Sequence, residues 1–144
     1  MIGNVDLDLL EKTYQNASTG ITALEAVLDK TKNVDMNTAL HKQLQDYREL
    51  QDKAKNQLQM NGAKVKDNSF YEKAMMKGNV KMNTLLNSSQ SHIAQMVIQG
   101  STMGVTQMTK LLHENKNADG ACVELAKEFI KKEEENIEVM KKYL

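Results

Sequence analysis

The chain has 144 residues, the size of one ordinary domain, with no proline, 7 glycines and 4% aromatic residues. Proline is the residue that helix interiors tolerate least, so its absence favours long uninterrupted helices over a turn-rich fold. The 19 basic residues balance the 19 acidic ones and include a single arginine, Arg48, which argues against a nucleic-acid-binding protein with a basic surface.

The cysteine content and the N-terminal residues bear on where the protein works. Cys122 is the single cysteine, which excludes an internal disulfide and a Cys-x-x-Cys motif, and we expect a buried structural thiol. The first ten residues contain Asp6 and Asp8 and no basic residue, so no signal peptide is predicted. No apolar run approaches the roughly 18 residues of a membrane span. We therefore expect a cytoplasmic protein with no membrane span.

Two amphipathic helices are predicted in the first half of the chain, over residues 5–31 and 36–61. In the first, the apolar stripe is Leu7, Leu10, Tyr14, Ala17, Ile21, Leu24 and Leu28. In the second, it is Leu40, Leu44, Tyr47, Gln51, Ala54 and Leu58. Asp35 is the expected cap of the second helix, and Asn61-Gly62 its expected end. The short link between them predicts an antiparallel hairpin.

The helical pattern is interrupted between residues 62 and 89. Ser69-Phe70-Tyr71-Glu72 has the spacing of a capping box, and Gly78 is a plausible stop. We therefore predict a short helix over residues 70–77 within a long connector.

Two further amphipathic helices are predicted over residues 90–114 and 119–143. The first has its stripe at Ile93, Val97, Gly100, Gly104, Met108 and Leu111. The second, with Asp119 as its expected cap, has Ala126, Ile130, Glu133, Ile137, Met140 and Leu144.

Four helices of matched length predict an all-α, four-helix bundle that forms one domain over residues 1–144, with a short fifth helix in the connector. The connector is long enough to cross the whole bundle, so the second and third long helices can run parallel. A simple up-down-up-down arrangement is the alternative, because reach alone does not set direction.

In helix lengths, hairpin pairing and the long middle connector, the chain resembles the ferritin-like superfamily. The segment Ser91–Gly104, SHIAQMVIQGSTMG, is also similar to that of small, functionally uncharacterised bacterial proteins grouped with it. A di-metal ferritin-like enzyme carries one Glu on each of two helices and Glu-x-x-His on the other two. Here the corresponding positions offer Glu133-x-x-Asn136, Gln45-x-x-Arg48 or Glu49-x-x-Asp52, Gln95, Gln99 and Ser18. The resemblance therefore implies the fold and not the iron chemistry.

Glu133 is the candidate site residue, since it falls on the apolar stripe of the last helix between Ile130 and Ile137. A buried carboxylate has to be paired, metal-bound or protonated. Glu133 is accordingly the candidate metal ligand or proton-transfer group. The alternative is an edge position whose carboxylate reaches solvent or a lysine.

Other chemistry-bearing residues have simpler interpretations. His41, His92 and His113 show no metal-ligand spacing, and the methionines between Met75 and Met108 are expected to fill the core. Gly100-x-x-x-Gly104 is expected to allow close packing inside the bundle or across a dimer. Residues 53–82 hold seven lysines against two acidic residues, which is typical of a hydrated connector or of a surface for an anionic partner.

The sequence favours a non-enzymatic ferritin-like bundle, a structural or protein-interaction module that self-associates or binds a protein partner. No cofactor is expected for such a module. The alternative is a metal-binding or redox protein with a degenerate site around Glu133, for which iron, manganese or zinc would be the cofactor. An enzyme of another type is the third hypothesis.

Overall fold

The computed structural model describes residues 4–65, 89–118 and 120–144. Four helices occur in these residues: α1 (Asn4–Leu28), α2 (Val34–Met60), α3 (Gln90–Glu114) and α4 (Gly120–Lys141). They account for 84% of the described residues, which contain no strand. The prediction of an all-α fold with four long helices is therefore confirmed. The predicted short helix at 70–77 and the expected cap Asp119 lie outside the described residues.

The helix ends differ from prediction where a better cap is present. α2 begins at Val34, two residues early, because the side-chain oxygen of Asn33, and not that of Asp35, accepts a hydrogen bond from the Met36 amide at 2.9 Å. α1 ends at Leu28, three residues early. Gly62 has a positive φ of 74°, as expected for the residue that closes α2. α3 has the predicted bounds, with Ser89 as its cap.

The helices pack as two hairpins, α1 with α2 and α3 with α4. Between the two hairpins, α1 contacts both α3 and α4, and α2 contacts α4. The largest fully buried apolar side chains come from all four helices: Leu9, Leu10, Val27, Met36, Leu40, Leu50, Leu58, Ile93, Met108, Phe129 and Met140. One apolar core therefore runs along the bundle axis. None of the four described helices has the length and apolarity needed to cross a bilayer.

Contacts between helices give their directions. Lys53 pairs with Glu128 at 2.8 Å, and six residues earlier on α2 Tyr47 contacts Glu133, so α2 and α4 are antiparallel. Gln90 bonds the carbonyl of Tyr143 and Ser101 bonds Glu133, so α3 and α4 are also antiparallel.

It follows that α2 and α3 run in the same direction. The starts of both helices meet at one end of the bundle, where Asn33, Met36, Ser89 and Gln90 line the same cavity. Of the two connectivities that the sequence left open, these directions agree with the one in which the second and third long helices are parallel.

The buried face of α4 is rotated from the predicted stripe. Its members are Cys122, Leu125, Ala126, Phe129, Glu133, Asn136 and Met140. Ala126, Glu133 and Met140 of the predicted stripe belong to this face, and the half-buried Ile130 packs against the core. Ile137 is only half-buried and Leu144 is 62% exposed, so the stripe prediction was wrong at Leu144. Both series have helical spacing, and the one that buries the Phe129 ring faces the core because an aromatic ring removes more apolar area from water.

Candidate functional site: a buried carboxyl cluster

The side chain of Glu133 lies inside the bundle and is only 2% exposed. Its Oε1 accepts a short hydrogen bond from the hydroxyl of Tyr47 in α2 and a longer one, 3.4 Å, from the hydroxyl of Ser101 in α3. The carboxyl group of one helix is thus bound by two others. The alternative interpretation, an edge carboxylate that reaches solvent or a lysine, does not describe this position.

Gln43 is the third side chain of the network and binds the hydroxyls of Tyr47 and Ser101. It lies one turn before Tyr47 on α2, and this i, i+4 spacing places both side chains on the same face. Its Nε2 donates to the Tyr47 hydroxyl at 3.0 Å and to the Ser101 hydroxyl at 3.3 Å. Each hydroxyl therefore accepts from Gln43 and donates to Glu133. We call Gln43, Tyr47, Ser101, Glu133 and the nearby Asn136 the Glu133 cluster.

Two glycines make room for the cluster. A Cβ at Gly104 of α3 would lie 2.8 Å from Oε2 of Glu133, and 3.3 Å from the ring of Phe129. A Cβ at Gly20 of α1 would lie 2.5 Å from the ring of Tyr47. A side chain at either position would displace a member of the cluster or the ring beside it.

The Gly100-x-x-x-Gly104 motif is divided between two environments. Gly104 packs inside the bundle, as predicted for the motif. A Cβ at Gly100 would meet nothing within 4 Å among the described residues, so Gly100 lies outside this packing.

Burial raises the pKa of Glu133 from its ordinary 4.5 to about 7, because the ionised carboxylate loses its hydration. Hydrogen bonds from Tyr47 and Ser101, and weaker interactions with Asn136 and Gln43, oppose the rise since they stabilise the anion. Burial, and then the adjacent Glu133 charge, hold the pKa of Tyr47 well above its usual value. The phenol is therefore a hydrogen-bond donor at any physiological pH.

Two buried polar atoms of the cluster have no hydrogen-bond partner among the described residues: Oε1 of Gln43 and Nδ2 of Asn136. Asn136 lies close enough to Glu133 to lower its pKa without forming a hydrogen bond of normal geometry. Buried groups of this kind are few in native proteins and cost free energy unless another group satisfies them.

A charged pair lies beside the cluster, nearer to solvent. Asp46 and Lys132, the chain neighbours of Tyr47 and Glu133, approach within 3.8 Å. Burial raises the pKa of Asp46, and the charge of Lys132 opposes this rise. This pair joins α2 and α4 at the level of the cluster without taking part in it.

The other candidate residues lie elsewhere. His41 and His113 are exposed and His92 is half-buried in the first turn of α3. Cys122 is buried, as expected. Met36, Met108 and Met140 fill the core, whereas Met60 and Met103 are 83% and 62% exposed. The expectation that methionines serve the core therefore describes some of them and not Met103.

The side chains around Glu133 can be compared with the ligands that iron, manganese and zinc require. These ions take carboxylate, imidazole or thiolate ligands. The described members of the cluster offer one carboxylate, two hydroxyls that donate to it, and two amides. In the described part of the chain no three His, Cys, Asp or Glu side chains converge as a metal site would need. These residues do not make a good fit, and the role of Glu133 as a metal ligand stays a prediction.

Sequence reasoning identified Glu133 and missed its partners. The predicted apolar stripe includes Tyr47 as a core residue, and the sequence pattern predicts no role in the site for Gln43, Ser101 or Asn136. A signal existed for Asn136, which occupies the place of the histidine in a Glu-x-x-His pattern. A second signal was the Gln43–Tyr47 spacing on one helix face.

Among solved structures, the chain is similar to the crystal structure of a DUF305 fragment from Deinococcus radiodurans. The match covers 98% of this chain and 95% of that chain, with a TM-score of 0.78 and 14% sequence identity. At this identity the likeness shows the fold alone, and the name of that fragment denotes a domain of unknown function. No family model and no curated protein matches the chain.

Proposed function

We propose that this chain is a non-enzymatic helical bundle of the ferritin-like type that serves as a structural or protein-interaction module. The ferritin-like part of the proposal draws support from the helix directions, because parallel second and third helices joined by one long connection are typical of those folds. Cys122 is buried and is the single cysteine of the sequence, so the bundle needs no internal disulfide, and we propose the cytoplasm as its location.

The observation that carries the proposal is the bonding of Glu133. Its Oε1 is engaged by hydroxyl donors from two other helices, and Gln43 supports both hydroxyls. Each group acts as a hydrogen-bond donor or acceptor to another side chain of the same bundle. A network of this kind sets which turn of α2 and α3 faces α4, and we infer that it fixes the register of the helices.

Metal analysis tests this proposal. Untagged protein purified from medium supplemented with iron, manganese and zinc is compared with Glu133→Gln, which has the same shape and no charge. We expect substoichiometric metal in both proteins. Stoichiometric metal in the wild type that is lost in Glu133→Gln would overturn the structural role.

The second candidate function is a metal-binding or redox protein built around Glu133. The observation that favours it is the unpaired Oε1 of Gln43, a second buried oxygen in the same cluster as the carboxyl group. Under this alternative, added iron, manganese or zinc should raise the melting temperature of the wild type and leave Glu133→Gln unchanged.

An interaction module needs a partner, and we propose that the partner is a protein, including a second copy of this chain. Support comes from the large apolar side chains that the bundle leaves exposed, among them Met103 of α3.

A further inference from the structure

The outward surface of α3 carries no charged side chain between His92 and Lys110. This uncharged stretch, Ile93–Thr109, is about 25 Å long at 1.5 Å per residue. We call its solvent-facing side the α3 outer face, and its exposed members in the middle of the helix are Gln99, Gly100, Thr102, Met103, Thr106 and Gln107.

The exposed surfaces of α2 and α4 are different. Exposed residues of α2 include Lys42, Arg48 and Glu49, and those of α4 include Lys131 and Glu134. Solvated helix faces are normally charged in this way, whereas depletion of charged residues marks the centre of protein interfaces, where methionine is enriched. The α3 outer face therefore has the composition of a contact surface.

On the α3 outer face, a projecting side chain lies next to a position that has no side chain. The Met103 side chain is 62% exposed. Three residues earlier on the same side of the helix, Gly100 has no side chain, and a Cβ there would meet nothing within 4 Å. A flexible thioether of this kind suits a hollow left by glycine on an opposing helix.

We propose that the α3 outer face is the interface between two copies of this chain. The two α3 helices cross antiparallel about a two-fold axis between Gly100 and Met103. Met103 of each copy then packs on the partner's Gly100, which satisfies the rule that residue i contacts j and j contacts i in a two-fold interface.

The absence of charge on this face, together with the spacing of Gly100 and Met103, favours a second copy as the occupant. Around a two-fold axis the same surface meets itself, so a charged residue near the axis would face its own like charge at close range. From Ile93 to Thr109 no such repulsion arises. Met103 and the open space at Gly100, three residues apart, can then face each other twice across the axis. This inference rests on the proposed function as an interaction module and names its partner.

Sedimentation velocity over low to high micromolar concentration tests the interface. The variants are Gly100→Lys, which fills the depression, and Met103→Lys, which replaces the projection; both add a charge near the axis. Their matched controls on α2 are Asn56→Lys at an exposed position and Met60→Lys at a methionine 83% exposed. We expect a wild-type dimer, controls like wild type, and a dissociation constant raised about tenfold or more in both α3 variants.

Two further measurements keep the result interpretable. Circular dichroism of each variant checks that the fold is retained, which we expect at Gly100 because no described atom occupies the space. Oxidising an equimolar mixture of Gly100→Cys and Met103→Cys should give a covalent dimer that contains one of each, faster than either variant alone, since Cys122 is buried.

A wild-type monomer at all concentrations would overturn the interface, and so would a dimer that the α3 variants weaken no more than the controls. Disulfide formation that is as fast in each variant alone would overturn the antiparallel crossing. None of these results changes the metal analysis, which tests the proposed function separately.

Discussion

The ring of Tyr47 lies directly against the backbone of Gly20, so that a Cβ at position 20 would be 2.5 Å from Cε2 and 2.6 Å from Cζ of the ring. This contact between α1 and α2 holds the phenol where its hydroxyl reaches Glu133. A glycine on the first helix thus determines the position of a hydrogen-bond donor in the site.

Replacing Gly20 with alanine should destabilise the fold. The added methyl group would push the Tyr47 ring away from Glu133, and overpacking of this kind costs roughly 1–3 kcal/mol. Alanine is otherwise the better helix former by roughly 0.5–1 kcal/mol, which offsets part of this cost. Urea denaturation measures the change. The matched control is Gly100→Ala, where the space is open and we expect unchanged or slightly higher stability; equal effects at both positions would contradict the packing argument.

Stability should fall as pH rises from 5 to 8. The pKa of Glu133 is about 7 in the folded state and 4.5 when unfolded, so the folded protein holds the proton more tightly in this range. The stability that protonation contributes is complete below pH 4.5 and is lost as pH rises through 7. For this pKa difference, the loss between pH 5 and 8 is about 2–3 kcal/mol.

Glu133→Gln isolates that contribution, since other groups such as Asp46 also titrate. Denaturation curves at pH 5, 6, 7 and 8 should show the wild type losing stability relative to Glu133→Gln. Parallel pH profiles for the two proteins would mean that folding does not raise the pKa of Glu133.

Tyr47→Phe should raise the pKa of Glu133 further. The hydrogen bond from the phenol stabilises the carboxylate anion, and it is the largest of the effects that lower this pKa. Carbon-13 NMR titration of the Glu133 carboxyl group measures the value in both proteins. Ser101→Ala should act in the same direction. A lower pKa in Tyr47→Phe would show that the phenol does not donate to Glu133.

Glu133→Leu should be destabilising, in contrast to Glu133→Gln. Leucine offers no acceptor, so the buried hydroxyls of Tyr47 and Ser101 would lose theirs, at about 1–3 kcal/mol for each group left unsatisfied. Glutamine keeps an acceptor oxygen and the approximate shape. Thermal melting at pH 6 compares the two, and a leucine variant as stable as wild type would mean that the hydroxyls find other acceptors.

The Lys53–Glu128 pair should contribute little. Both side chains are substantially exposed, and pairs of this kind contribute about 0–1 kcal/mol. A double-mutant cycle with Lys53→Ala and Glu128→Ala should give a coupling free energy in this range that decreases in high salt. A larger, salt-independent coupling would show that the pair is shielded from solvent.

Much of the fold was accessible from residue spacing. The absence of proline and the repeated three- and four-residue intervals predicted four helices, and α3 has the predicted bounds. The residue spacing was less informative about which side of each helix faces the core. In α3 the predicted stripe places Gly100 on the buried side, whereas Ser101 faces the core. Apolar residues such as Ile98 and Val105 flank the predicted stripe, so the spacing does not show which residue lies at its centre.

Residue spacing within one helix also allowed part of the candidate site to be predicted. A carboxylate among apolar residues of one helix is visible in a single stripe, so Glu133 could be found. Its partners could not, because Tyr47 and Ser101 meet Glu133 only through packing of three helices. Whether a tyrosine on an apolar stripe buries its hydroxyl beside a carboxyl group depends on the relative shift of the helices along the bundle axis, which spacing within one helix does not contain.

The antiparallel pairing of α2 with both α1 and α4 places the start of α1 and the end of α4 at opposite ends of the bundle. A pulling force applied between these two points would load α1 and α4 in shear, along the bundle axis, and would not peel one helix from its neighbour. Buried contacts along the whole axis would then have to give way together. Mechanically, the four described helices behave as a short rod about 35 Å long by their helix lengths.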